Sequence, residues 1–310
     1  MPVTLSRRTF LASSASALAV VAAPTPIRLS LDREESKIRV SPGRMAFHYG
    51  QQWAKPFLYP LITPAGVAVS RGYPIEKRDG NETTDHPWHR GLWIGHGDIN
   101  GVDFWRELKP ENTGLIRIQG EPKIRRDSFT ADFSLLPPNS TSPMGTLTQQ
   151  WTFAGSPRGL RIDVRFTYHA GAGKPLHFGD TDDGGFGVRL RDEFRQDRGA
   201  VLRNDTGAAG TKALWGKPAR WIDYSAAVEG RPAGVAIFDH PANLRYPTAW
   251  HARPYGLNAA NPFANRSFNG KDAPSGEYEI PTGQKLTFAY RVLIHDGMGE
   301  SLPLDTEVPR

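Results

Sequence analysis

The chain has 310 residues, with 38 lysines and arginines against 32 aspartates and glutamates, for a formal charge of +6. The surplus is thin and spread along the chain without a basic run, so no nucleic-acid footprint is expected. There is no cysteine, which excludes a disulfide framework, a thiolate nucleophile and a zinc–thiolate site.

In chain order, Ser6-Arg7-Arg8-Thr9-Phe10-Leu11 leads into an apolar, alanine-rich run ending at Ala23. A basic start, a short apolar middle and a small-residue end make a secretory signal. The paired arginines make it twin-arginine type. The apolar run is shorter than the ~20 residues that span a bilayer. The expectation is a signal over residues 1–23 and a mature protein exported to the periplasm or beyond, with no membrane attachment after cleavage. Residues 24–37 read as a tether.

From residue 38 a period of two takes over. Phe129, Ala131, Phe133 and Leu135 alternate with polar residues, and so do Ile162, Val164, Phe166 and Tyr168. Leu286, Phe288, Tyr290, Val292 and Ile294 share the face of a last long strand. Such alternation predicts half-buried strands in antiparallel sheets. The turns between them are marked by clusters such as Pro137-Pro138-Asn139, and the chain carries 32 glycines and 26 prolines. The reading is an all-β fold, a large antiparallel β-sandwich (supersandwich-like) with long loops, forming one domain over 38–300. Residues 205–280 are expected to lie as loops over a sheet face, and residues 301–310 to form a tail.

Three patches carry chemistry. The first, residues 83–105, holds three of the nine histidines (His86, His89, His96) and three of the eight tryptophans (Trp88, Trp93, Trp105). Imidazole suits proton transfer or metal binding near neutral pH, and indole faces suit flat ligands. Pro87 and Gly91 argue against a helix there and for a loop entering a strand. Glycines on both sides of His96 would admit a ligand. Arg90 beside His89 disfavours its protonation, unless Arg90 is spent on Asp85 or Asp98. The bland alternative is a tryptophan-rich core strand with histidines satisfied at its ends.

The second patch, His177-Phe-Gly-Asp-Thr-Asp-Asp-Gly-Gly-Phe-Gly-Val-Arg189, crowds Asp180, Asp182 and Asp183. At least one should have a raised pKa, and paired carboxylates can divide acid and base roles. An Asp-Gly turn is the plain alternative. The third patch runs from Tyr246 through Trp250-His251-Ala-Arg253-Pro-Tyr255-Gly256. In an extended chain His251, Arg253 and Tyr255 share one face and Trp250 takes the other. Imidazole and phenol can move a proton, and arginine can hold an oxyanion or carboxylate. Trp215, Trp221, Asp223 and Tyr224 form a weaker fourth patch, core or subsite wall.

The motifs Lys55-Pro-Phe-Leu-Tyr-Pro60, His86-Pro-Trp-His-Arg-Gly-Leu92, Asp180-Thr-Asp-Asp-Gly-Gly-Phe-Gly-Val-Arg189 and Trp250-His-Ala-Arg-Pro-Tyr-Gly256 resemble those of the bacterial exported domain family named methane oxygenase PmoA-like. The resemblance covers nearly all of the mature chain. It implies a shared fold and site, and a setting among carbohydrate-use systems. The layout also resembles, as a fold, the galactose mutarotase-like supersandwich.

Together these readings point to a periplasmic enzyme acting on a sugar or glycoside by acid/base chemistry, as lyase, hydrolase or epimerase. His89, His251, Asp183 and Tyr255 are the catalytic candidates. Arg90, Arg189, Arg253, His86, His96, Asp180, Trp88, Trp93 and Trp250 are the substrate-binding ones. The partner is a small sugar or glycoside, and no cofactor is required. Two alternatives stand beside it. One is a metalloenzyme, an oxygenase or other, with a divalent metal on His86, His89, His96 and His251. The other is a non-catalytic glycan-binding protein. The patches lie far apart in sequence, so a shared site demands that all three line one pocket, with a tryptophan in its wall. Export has its own test. Replacing Arg7 and Arg8 together by lysine should trap the precursor in the cytoplasm, and normal periplasmic delivery of that variant in cell fractionation would refute the signal.

Overall fold

The computed structural model describes residues 26–78, 80 and 82–309; the signal over 1–23 lies outside them. Strands make up 44% of the chain and helix 7%, the latter in single turns, so the fold is all-β as the alternation predicts. An eight-stranded antiparallel sheet runs β1 (Arg28–Asp32), β2 (Lys37–Ser41), β3 (Met45–His48), β4 (Phe57–Tyr59), β5 (Leu92–His96), β12 (Gly184–Arg189), β17 (Leu257–Ala260), β16 (Trp250–Ala252). A second sheet runs β13 (Val201–Asn204), β14 (Trp221–Val228), β15 (Arg231–Asp239), β19 (Lys285–Asp296), β10 (Gly159–Ala170), β9 (Gly145–Ser156), β8 (Ser128–Leu136), β6 (Leu115–Ile118). The short β7 (Lys123–Ile124) also pairs with β8, and β11 (Leu176–Phe178) pairs with β18 (Tyr278–Ile280).

The two sheets pack through aromatic side chains. Phe47 of the first sheet meets Phe129 and Trp151 of the second at 4.8 and 5.4 Å between ring centroids, and Phe186 meets Tyr290 at 5.1 Å. The strands that alternate in sequence, β8 above all, bury every second side chain and leave the rest to solvent. The first sheet does not follow that rule. Every residue of β5 and β12 is buried, because a further layer of loops and rings covers the sheet's outer face. Phe57, Tyr59, Trp93, Trp105, Leu257 and Ala259 form that layer, with Trp53, Ile75, Trp88 and Tyr255 at its margin. Gly187 makes it possible: a Cβ there would come within 2.9 Å of Trp105 and 3.1 Å of Trp93, so glycine lets both indoles lie on the strand.

Three expectations about boundaries need correction. Residues 24–37 are not a free tether, since β1 pairs with β2 along its whole length. Residues 205–280 are not only loops, since β14 and β15 are central strands of the second sheet. Both are buried on two faces for most of their length, which removes the alternation that marks a half-buried strand. Residues 301–310 are not a loose tail. Leu304 is buried with Trp221, Phe238 and Leu293, and Arg158 donates to Glu307 at 2.7 Å. Leu304→Ala should therefore cost about 2–5 kcal/mol, the range for emptying a buried leucine site. Denaturant unfolding of the mature chain measures it, and a change under ~0.5 kcal/mol, the level of an ordinary surface substitution, would make the segment a tail after all.

Candidate functional site

The outer face of the first sheet gathers parts of all three patches. Strand geometry decides which parts. On β5, Trp93 points outward while Leu92 and Ile94 point into the sandwich; on β16, His251 points outward while Trp250 and Ala252 point inward. Arg189 at the end of β12 stacks on Tyr255, 4.5 Å from guanidinium carbon to ring centroid.

Residues 85–89 form a tight turn, closed by His89 N donating to His86 O at 3.0 Å. His86 sits at φ +45, in the left-handed region that a non-glycine residue rarely occupies. The buried Arg71 holds the turn together. Its Nη1 donates to Asp85 O (2.7 Å) and Oδ1 (2.6 Å), and its Nη2 to His86 O (2.8 Å) and His89 O (3.4 Å). Arg189 Nη2 adds a second bond to Asp85 Oδ1 at 2.7 Å. The other carboxylate oxygen, Oδ2, is 2.5 Å from His86 Nδ1. Burial alone would raise the Asp85 pKa, but the His86 contact and the two guanidinium groups hold it well below the usual carboxylate range. An ionised Asp85 thus fixes His86 with Nδ1 as the donor and Nε2 left as the basic atom. Both side chains keep about 37% of their surface in solvent.

His86 belongs to a stack of four nearly parallel rings. Tyr255 lies on His86 at 5.3 Å, His86 on His89 at 4.9 Å, and His89 on Trp93 at 5.1 Å between centroids. Trp88 meets the stack edge-on. Trp93 and His89 are buried, while His86 and Tyr255 keep part of their surface in solvent. His89 is buried, its Nε2 accepts from Trp105 Nε1 at 3.2 Å, and burial and the nearby Arg189 push its pKa well down. It is a neutral structural imidazole rather than the expected base. Burial pushes the Tyr255 phenol up to about 12, so it keeps its proton and serves as a hydrogen-bond donor.

The opposite flank is built from the second and third patches. His251 is also closed: Nδ1 faces Asp182 O at 2.5 Å, and Nε2 accepts from Arg253 Nε at 2.9 Å. Burial takes its pKa down to about 4 despite the charge of Asp182. Its task is positioning. It anchors the carbonyl of the Asp182 loop and braces Arg253, which also lies over Trp215 at 3.9 Å and reaches Asp182 Oδ2 at 3.2 Å. Asp183 is different. Burial and the neighbouring Asp182 raise it to about 6, with Arg106 at 3.6 Å and His86 opposing only in part. Its carboxylate makes no side-chain hydrogen bond among the described residues, and it lies within electrostatic reach of His86 and Tyr255.

Several candidates are taken up by the fold instead. His96 points into the sandwich, packs between Phe178 and Phe263, and bonds Gly179 O at 2.9 Å. The glycines beside it admit protein rather than ligand: a Cβ at Gly95 would strike Phe104 O, and one at Gly97 would meet Asp183 O. Trp250 is fully buried and donates to Ala219 O, and Trp93 is the floor of the ring stack, so neither offers an open platform. Arg90 is buried over Trp53 and Phe57 and paired with Glu107, which it shares with the buried Lys55. Asp180 accepts from the backbone N–H groups of Asn265, Arg266, Ser267 and Gly276, and so ties its loop to 265–276. The four-histidine set does not fit a metal, because His96 lies on the other face and His89 and His251 have their nitrogens engaged or enclosed. Among the described residues no three His, Asp or Glu side chains are arranged to hold one.

Sequence reasoning missed Asp85 and Arg71. Asp85 had a signal, its place directly before His86 and Pro87; Arg71 had none. The patches therefore meet on the ring-covered outer face of the first sheet. A cavity of about 780 Å³, lined by Arg106 and Thr181 among others, lies on the Asp183 side of this face.

The chain matches, over residues 43–304, a family described as a family of unknown function (DUF6807), and it belongs to that family. That description carries no methane oxygenase PmoA-like name. No curated protein matches the chain. Among solved structures, it is similar to the Slr1438 protein of Synechocystis sp. PCC 6803, with a TM-score of 0.40, 10% identity, and 91% of this chain and 99% of that chain covered. It is also similar to a galactose mutarotase related enzyme from Lactobacillus acidophilus, with a TM-score of 0.39, 6% identity, and 89% and 97% covered.

The two carboxylates make opposite contributions to stability. Asp183 binds its proton more tightly when folded, at about 6 against an ordinary 3.8, so stability falls as pH rises through that window. Asp183→Asn should stabilise the protein at pH 7 by an amount on the order of 2–3 kcal/mol, with the gain gone near pH 4. The lowered Asp85 has the reverse sign: its contribution is present above about pH 4 and lost in acid. Asp85→Asn should accordingly destabilise at pH 7 and converge with the parent in strong acid. Urea unfolding across pH reads both, and an Asp183→Asn variant less stable than the parent at pH 7 would contradict the burial argument.

Proposed function

We propose that this protein is an exported carbohydrate-active enzyme, and that His86 and Asp183 are its acid/base pair. One observation carries the reading. Two carboxylates on the same surface are driven in opposite directions, Asp85 held ionised and Asp183 raised to about 6. That division separates an orienting anion from a proton carrier. His86 Nε2 takes a proton from the bound sugar, and Asp85 offsets the charge of the resulting imidazolium. Asp183, entering protonated, delivers its proton to an oxygen of the same substrate. When that first proton comes from carbon, its electron pair forms a C=C bond as the neighbouring C–O bond breaks and the Asp183 proton goes to the departing oxygen, an elimination. When it comes from the anomeric hydroxyl, a C=O bond forms as the ring C–O bond breaks and Asp183 protonates the ring oxygen, an isomerisation by ring opening.

Arg253 and Arg106 each leave part of the guanidinium in solvent and can hold substrate oxygens. Trp88 and Tyr255 offer aromatic edges and faces to a sugar ring. The twin-arginine motif and the resemblance to exported PmoA-like domains favour periplasmic work on a carbohydrate.

A panel of sugars, glycosides and oxidised sugars tests the reading. On any substrate found, His86→Asn and Asp183→Asn should each lower kcat/KM by ~10²–10⁴. Turnover by the parent should fall as pH rises past about 6, where Asp183 gives up its proton. Full activity in both variants would reject the pair. Sugar binding without turnover, unaffected by His86→Asn, would make the protein a binding module.

A further inference from the structure

Beside Asp183 lies a cleft of about 780 Å³, lined by several residues between 97 and 113, Arg106, Leu108 and Asn112 among them, with Pro138 and Thr181. It shares a wall with the acid/base cluster. Gly97 N donates to Asp183 O at 2.7 Å, and Asp183 N donates to Thr181 Oγ1 at 3.3 Å. Arg106 lines the cleft, and its Nε lies 3.6 Å from Asp183 Oδ2. A ligand seated over Asp183 that extends past Arg106 enters this cleft.

The lining has two kinds of group. Asp98 and Asp103 are already engaged in shaping their loops: Asp98 accepts from Gly101 N, and Asp103 from Trp105 N, Arg106 N and Arg106 Nε. The side chains of Lys109, Glu111 and Asn112 form no hydrogen bond among the described residues. Neither do the terminal amino groups of Arg106. Against these polar groups stand Val102 and Leu108. Leu108 is 64% exposed, the one exposed large hydrophobic side chain among the described residues. A single exposed leucine is unremarkable on a surface, but this one borders a cleft whose free polar groups carry both charges. Free donors, free acceptors and a small apolar contact in a groove of this size suit a neutral polyhydroxylated ring.

We propose that this cleft is a second sugar subsite, so that the substrate is a neutral oligosaccharide. One residue would lie at the His86–Asp183 cluster and the next along residues 102–112. The inference rests on the carbohydrate reading above and adds the length and charge of the substrate.

The probes are neutral mono-, di- and trisaccharides of one series, titrated into mature protein and followed by amide chemical shifts and, where there is turnover, by KM. The parent should prefer the trisaccharide to the monosaccharide by roughly tenfold or more, the scale of one added set of pocket contacts. Shifts should spread from residues around Asp183 into 102–112 only with the longer sugars. Leu108→Asp and Asn112→Ala should each reduce that preference severalfold, with unchanged circular dichroism and melting to establish that they fold. Equal affinity for monosaccharide and trisaccharide, with shifts confined to the His86 cluster, would overturn the subsite and leave the carbohydrate reading intact. So would a trisaccharide preference untouched by both variants. Binding to none of the neutral sugars would overturn the subsite, and binding to no carbohydrate of any kind would remove the reading beneath it as well.

Discussion

The Arg71 guanidinium is the constraint on which the site depends. It is fully buried, and most of its hydrogen bonds go to one turn, residues 85–89. A buried cation is costly unless it is paired and bonded. Arg71 meets that requirement by binding the Asp85 carboxylate together with the carbonyls that a left-handed residue at 86 turns toward it. The strain at His86, the ionised state of Asp85 and the placement of the imidazole are therefore one arrangement. Removing Asp85 would leave the buried Arg71 charge without its carboxylate partner, which is destabilising. Arg189 reinforces the arrangement from β12, so the turn is held from two segments that are far apart in sequence.

That arrangement requires a sheet covered on both faces. A half-solvated antiparallel sheet would leave Arg71 and Arg189 in water, where their grip on Asp85 would be screened. The ring layer over β5 and β12 supplies the low-dielectric surroundings, and Gly187 gives it room. The same cover explains why two of the best-looking histidines carry no proton traffic. His89 and His251 hold the layer together, one beneath His86 and the other behind Asp182. Ring stacking brings His86 to the surface edge of that layer, where its free nitrogen meets solvent.

Much of this was legible in the chain. Alternation in β8, β10 and β19 marked the second sheet, because one face of those strands does meet water. The same period-two argument placed His251 on one face and Trp250 on the other, as in β16, while the strand ends at Ala252 and Tyr255 comes to the outer face from a turn instead of an extended chain. Extended to residues 92–96, it would have sent His96 inward with Leu92 and Ile94. The glycines around it suggested ligand access, but they make room for Phe104 and Asp183. β14 and β15 escaped detection because a strand buried on both faces has no alternation to detect. Arg71 and the Arg90–Glu107–Lys55 group were invisible for another reason: ion pairs between distant segments leave no local pattern.

The contrast between Asp85 and Asp183 is the part of the site least explained by folding alone. Asp85 is surrounded by donors, and its charge stabilises the turn that presents His86. Asp183 sits in a comparably enclosed place with a like charge beside it and no side-chain donor on its carboxylate. Folding would be served by an asparagine or by an arginine brought closer; Arg106 Nε lies 3.6 Å from Asp183 Oδ2, beyond hydrogen-bond distance, and is bonded to Asp103. A buried carboxyl group with a like charge beside it and only a loose contact to its nearest cation, at some expense in stability, is poised to hold a proton up to about pH 6. Perturbed groups of this kind gather at functional sites more than elsewhere. Structural ion-pair networks also shift pKa values, but they do so by pairing, as at Asp85 and Glu107, both of which are lowered. Asp183 is raised because burial and the charge of Asp182 outweigh its contact with Arg106, and that, with its place near His86 and Tyr255, is why it, rather than the buried histidines, is the residue around which the chemistry is assigned.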